Sequence, residues 1–527
     1  MQFDYRDMEV NVSSYKRKLM DVPNIIVGIW ICGMFTIFPL IYNNRYYDIL
    51  QAKYGTVLVL TIIMISAMIM IYGFSSGFTN FLNKLEKKGF KDWFREEISF
   101  TDRCMMIYII ITVISTSLAY PYVKEAVLGN EGRYSGLILI SLYVSIYFIV
   151  SRFFAFSKVY FTIFLSIAIP VCIFGYTDYF KMDILKFKRG LSLEQQPVFT
   201  STIGNINTYT AVIAFYIAVA GTLFITTPLK DEKMGKGESI AKIIFYYIIM
   251  FMSFIAIAMG NSDNGYLSLG IFFALMPFVA FQTMEGVRRY VLTVFSYLVS
   301  IKIIALINAA YGDGVLGISG LYEFISNFKY LNLLIILFGA VAAALYIFAY
   351  TKRNEAYDNE GLLKALKFGW IGILVLGFLA TVYLAISVNG DLDAGRERYG
   401  SLANYFIFND DWGTYRGYIW RAAIEEYMKK PVLHRIFGTG PDTFGIYISK
   451  ARYSEMTSIT GQFFDAAHNE YIQFLFTIGP VATIAYILSL ILPSIKAFRT
   501  KIADLKDGTV LPYLYACAMA VICYATQ

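Results

Sequence analysis

Long apolar runs separated by short polar connections dominate the chain. Most runs are close to twenty residues, the length that crosses about 30 Å of hydrocarbon as a helix. The pattern predicts spans at Ile25–Tyr42, Gly55–Phe74, Cys104–Tyr120, Gly136–Ser151, Lys158–Tyr176, Tyr209–Pro228, Ile240–Gly260, Tyr266–Gln282, Tyr290–Tyr311, Tyr330–Tyr350, Phe368–Val388, Tyr471–Leu492 and Leu511–Thr526. The predicted fold class is therefore all-α, a polytopic membrane protein with roughly 12 to 13 crossing helices. Only one connection is long. It divides the chain into 1–388, a set of spans with short links; 389–470, a large and mostly helical loop; and 471–527, the C-terminal spans.

Composition agrees with the pattern: 57% of the 527 residues are hydrophobic and 16% charged, far from soluble usage. The net charge of +7 is no nucleic-acid signal, because its cations fall between spans rather than in a basic stripe. Alternating the connections from a cytoplasmic N-terminus puts Lys16-Arg17-Lys18, Lys84 to Arg103, Lys230/Lys233/Lys236, Arg288-Arg289, Lys352-Arg353 and Lys496/Arg499/Lys501 on the inner side. The large loop and the 177–207 connection then face outward from a cytoplasmic (inner) membrane. The first apolar run reads as a retained signal anchor, and the alternating-charge stretch FTNFLNKLEKKGFKDWFREEISF as an interfacial helix. Cys32, Cys104, Cys172, Cys517 and Cys523 form no C-x-x-C pair, so no metal-thiolate site is expected.

Both histidines of the protein, His434 and His468, lie between Asp410 and Gly479. An imidazole can take a proton from a hydroxyl near neutral pH without a large perturbation. His468 is the better placed. It follows Asp465, which could orient the ring, and precedes Asn469-Glu470, which could hold sugar hydroxyls or begin the next helix. The ordinary alternative is a polar residue at a helix entrance. Arg416 and Arg421 stand five apart on a predicted amphipathic helix, so at most one points into a site; a guanidinium fork suits phosphate, or simply solvates a helix face. His434, before a Gly-Thr-Gly-Pro turn, reads as a loop-surface residue. Lys302, inside a span, needs a polar groove, a partner or a route to the interface. Asn205 and Asn207 at a span entrance suit sugar hydroxyls or a helix cap.

R-x3-W at Arg416 to Trp420, the FGTGPDTF turn, D-x-x-H-N-x-Y from Asp465, and Gly479-Pro480 together resemble the signature of the O-antigen ligase and polymerase superfamily of membrane glycosyltransferases. N-x-N at 205–207 is similar to a motif frequent there. GNSDNGYLSLG departs from it: many members carry Ser-Arg-Gly where Asp263-Asn264 stand here, so the second cation for a diphosphate must come from elsewhere, with Arg133 and Arg421 the candidates. The resemblance implies an inverting transfer of glycan from a polyprenyl (undecaprenyl) diphosphate to an acceptor hydroxyl on a glycan or lipid, for the cell envelope. His468, Arg416 and Asp465 would be catalytic. Asn469, Glu470, Arg421, Asn205, Asn207, Arg133 and Trp420 would bind substrate. No cofactor or metal is implied; membrane lipids and polysaccharide assembly proteins are the implied partners. Two rival readings are a flippase of lipid-linked sugars, which predicts paired broken spans in related halves, and a non-catalytic scaffold of an assembly complex.

Overall fold

The computed structural model describes residues 5–45, 47–74, 83, 86, 87, 89–192, 201–230, 237–351, 359–502, 505 and 507–527. Among them twelve helices are long and apolar enough to cross a membrane, and no strand forms; the protein is an all-α polytopic membrane protein. The span expected at Gly136–Ser151 is the Leu137–Phe153 helix, apolar but only 17 residues long. The first helix, Tyr5–Leu40, begins well before the apolar run expected from Ile25, and Met284–Tyr311 and Glu360–Gly390 each begin about two turns early. In the latter two a cap sets the start: Thr283 Oγ1 accepts from Gly286 N at 3.0 Å and Asn359 Oδ1 from Leu362 N at 3.0 Å. Lys233, Lys236, Lys352, Arg353 and much of the 78–88 stretch lie outside the described residues. The rest of that stretch forms the Phe90–Glu97 helix, with no buried residue.

The chain forms two compact units, and the large connection is shared between them: 389–425 and 455–469 pack in one, 426–454 in the other. The first unit comprises residues 1–164, 426–454 and 470–489. Its core joins Cys104, Met105 and Tyr108 to Ile140, Val144, Ile478, Ala482 and Ala485. Ser99 and Asp102 cap each other's backbone N–H at the start of Phe100–Ser117, and Asp102 also accepts from Arg152 at 2.8 Å and Tyr147 at 2.7 Å. Gly479, at φ 81°, breaks the helical geometry within Glu470–Arg499. Pro480 disfavours a helical residue before it, and a Cβ at Gly479 would sit 2.1 Å from the Ile436 carbonyl, so glycine is needed.

The second unit comprises residues 165–425, 455–469 and 490–527. Ile206–Thr226 is its axis: 78% of its apolar window is buried, against 6% in Leu331–Thr351 and in Glu360–Gly390. Tyr179, Ala258, Met259, Ile301, Ile304 and Tyr322 pack into one of its cores. Lys302 is half-buried on the Met284–Tyr311 helix.

Candidate active site

Within the second unit a cleft of ≈ 860 Å³ opens where the start of Asp263–Ala280, the short Gly320–Ser326 helix and the polar connection after Gly390 meet. Its lining is charged with both signs: Asp263, Glu323 and Asp411 against Lys329, Arg396 and Arg416. Trp412 and Tyr405 add aromatic surface, and their positions are tied. The Trp412 indole donates to the Tyr405 carbonyl at 3.0 Å, and the Tyr405 hydroxyl to Asp263 Oδ1 at 3.5 Å. Burial and the neighbouring Asp263 carboxylate push the Tyr405 phenol up to about 12, so it stays a donor.

Arg416 enters this cleft from Trp412–Lys429. That helix opens with an irregular turn in which Gly413, Thr414 and Tyr415 are all left-handed (φ 61°, 60° and 64°), and two of the three carry a Cβ. Each such residue costs about 1–2 kcal/mol. The turn brings the Asn409 carbonyl so close to Gly417 that a Cβ there would sit 1.9 Å away, which accounts for the glycine of Arg-Gly-Tyr. Arg416 Nη1 donates to Asn264 Oδ1 at 3.3 Å, one residue from Asp263. Ser262 in turn donates to Asn207 Oδ1 at 2.7 Å, which ties the entrance of the central helix to the same loop. Asn205 is spent on its own helix, accepting from the N–H of Asn207 and Thr208.

Trp420 follows Arg416 by four residues, hence on the same helix face. Its indole donates to the buried Ala467 carbonyl at 2.8 Å, next to His468. His468 is exposed, two residues before Glu470–Arg499, in left-handed conformation (φ 49°), a region that histidine enters more readily than most residues. Its ring meets Phe464 edge-on, centroids 5.6 Å apart. Asp465 is exposed on the same loop. Arg416 and Asn207 are thus each tied to the 262–264 loop, and Trp420 to the residue before His468, all within one unit.

The remaining expected residues have other surroundings. Arg421 forks Asp410 at 2.9 and 2.7 Å, reaches Glu425 at 3.1 Å and lies 3.9 Å from Glu455. The Arg421 hydrogen bond holds the Asp410 carboxyl below its usual range, and the carboxylates raise the guanidinium. A guanidinium so surrounded has little field left for a diphosphate. Arg133, Glu470 and His434 belong to the first unit, where His434 Nδ1 bonds the Gly438 carbonyl at 3.0 Å. There the turn's Asp442 carboxylate accepts from the N–H of Asn130 (2.6 Å) and Ser135 (3.2 Å), on either side of Arg133. Glu323, Lys329, Arg396, Tyr405, Asp411 and Trp412 have no part in the sequence reading of the site, and Asp263 entered it only as a departure from Ser-Arg-Gly. Arg396, Tyr405, Asp411 and Trp412 were visible only as members of the polar connection, and Glu323 and Lys329 only as charges beside a polar turn between spans. Among the described residues no cluster of three or more His, Cys, Asp or Glu is arranged to hold a metal ion.

Fold and cleft together define an all-helical, multi-pass membrane protein with a charged, aromatic-edged cleft built from its connections. Residues 332–487, under a third of the chain, match the family model for O-antigen ligase, so over this segment the chain is similar to that family of glycosyltransferase-like enzymes. The matched segment contains Arg416, Trp420, Arg421, Asp465, His468, Asn469 and Glu470; Arg133, Asn205 and Asn207 lie outside it. No curated protein and no solved structure matches the chain.

Proposed function

We propose that the protein transfers a glycan from a polyprenyl diphosphate to an acceptor hydroxyl, with inversion, at the outer face of a cytoplasmic membrane. The observation that carries this reading is the shared face of Arg416 and Trp420: one lines the cleft, and the other is bonded to the carbonyl beside His468. His468 takes the acceptor proton as the hydroxyl oxygen bonds to the anomeric carbon. The bond from that carbon to the diphosphate oxygen breaks, and the diphosphate leaves with the electron pair toward Arg416. A diphosphate is a good leaving group, so the protein must supply a base and a counter-charge rather than a strong acid. Asp465 orients the imidazole. Asn469, the Trp412 ring and the cleft acids Glu323 and Asp411 meet sugar hydroxyls. Lys329 and Arg396 line the same cleft as Arg416, whereas Arg421 does not, and are the better candidates for the second cation. The orientation with Arg288-Arg289 inward follows the cation distribution.

The test is transfer in vitro from a defined undecaprenyl-diphosphate glycan to two acceptors, one lipid-linked and one free. Product length separates polymerisation from a single transfer. His468→Ala is expected to lower the rate by about 10²- to 10⁴-fold. A variant that transfers at the parental rate would overturn the assignment of the base.

A further inference from the structure

At the other end of the Ile206–Thr226 helix, about 30 Å from Asn205 by helix rise, the second unit holds another cleft, of ≈ 500 Å³. Its floor is the start of Met284–Tyr311, a helix of 28 residues capped by Thr283, and this end carries the partial positive charge of the helix. Arg288, one turn in, borders the cleft with its guanidinium over the Tyr346 ring at 4.7 Å and its Nε buried without a hydrogen-bond partner. Thr227, only 2% exposed, also borders it, and its hydroxyl is buried with no partner. A buried hydroxyl left unmet costs stability, so both orphaned donors at one cleft point to a ligand that accepts hydrogen bonds.

The charge balance narrows that ligand. Arg289 is consumed by the carbonyls of Phe224 (2.8 Å) and Thr227 (2.5 Å) and by Glu285. Glu285 also borders the cleft and lies 3.8 Å from Arg288. The local field therefore suits one negative charge, a phosphodiester, better than the partly dianionic free phosphate. Val279, Leu511 and Pro512 also line the cleft and give it apolar surface, suited to acyl chains rather than water. We propose that this cleft binds the phosphodiester headgroup of an anionic lipid, with its phosphate between Arg288, the Thr227 hydroxyl and the helix start. The site is independent of the transfer chemistry.

The full-length protein, purified in neutral detergent, would be titrated with phosphatidylglycerol, phosphatidylcholine or inorganic phosphate, and bound lipid read by native mass spectrometry alongside the melting temperature. Phosphatidylglycerol should be retained and raise the melting temperature, with neither other ligand doing so. Arg288→Gln should weaken retention by about ten- to a hundredfold. Thr227→Val should weaken it about two- to tenfold without lowering the melting temperature of the lipid-free protein; it decides the matter if the arginine variant does not fold. Equal retention of both lipids, stabilisation by phosphate alone, or retention unaffected by Thr227→Val would overturn the proposal.

Discussion

Trp420→Phe isolates the contact on which the proposed base depends. The substitution keeps a ring beside Trp412, now 5.3 Å away, but removes the indole donor from the Ala467 carbonyl. That carbonyl belongs to a residue with no exposure, so losing its donor costs about 1–3 kcal/mol. The loop carrying His468 in its left-handed conformation is then free to shift. If that cost is met mainly in the transition state, where the imidazole must be aligned with the acceptor hydroxyl, about 1.4 kcal/mol per factor of ten predicts a fall of about five- to a hundredfold in kcat, with KM little changed. The assay is single-turnover transfer at saturating donor, repeated in the His468→Ala background. There Trp420→Phe should add almost nothing, because a positioning residue has no base left to position. Equal losses in both backgrounds would show that Trp420 acts through general stability and refute the link to His468. Circular dichroism melting separates unfolding from misalignment.

Arg421→Ala removes a pair whose partners are both substantially exposed, so stability should fall by no more than about 1 kcal/mol and transfer should persist within a few-fold; loss of transfer on the scale of Arg416→Ala would return Arg421 to the diphosphate. In the first unit, burial of Lys430 against Tyr447 and Phe476 lowers its ammonium from 10.5 to about 6, only partly opposed by Glu426. Between those values the unfolded chain holds a proton that the folded chain has released, so stability climbs as pH rises from 6 toward 10. Lys430→Met should flatten that slope in denaturation measured from pH 6 to 9, and an unchanged slope would disprove the assignment. Transfer should survive excess EDTA; inhibition reversed by a divalent cation would move the counter-charge of the diphosphate from Arg416 to a metal.

Hydropathy alone determined the membrane class and, to within a turn or two, nearly every span, because a helix in hydrocarbon must be long, apolar and internally hydrogen-bonded, and each requirement is local. Helix starts at Thr283 and Asn359 escaped it, since a cap is a single polar side chain that a hydropathy window averages away. The signature around Arg416, Trp420 and His468 was legible as residues close in sequence. Their connection through Ala467 was not, because it depends on which face of a helix meets a loop 47 residues away. Asp263, Glu323 and Arg396 reach one cleft from connections scattered over more than a hundred positions. Asn205 and Arg421 carried the same chemistry as their neighbours in sequence, and only packing shows one closing a helix and the other ringed by carboxylates. Residue type states what a side chain can do; its partners, which decide what it does, are set by contacts between segments that no local pattern encodes.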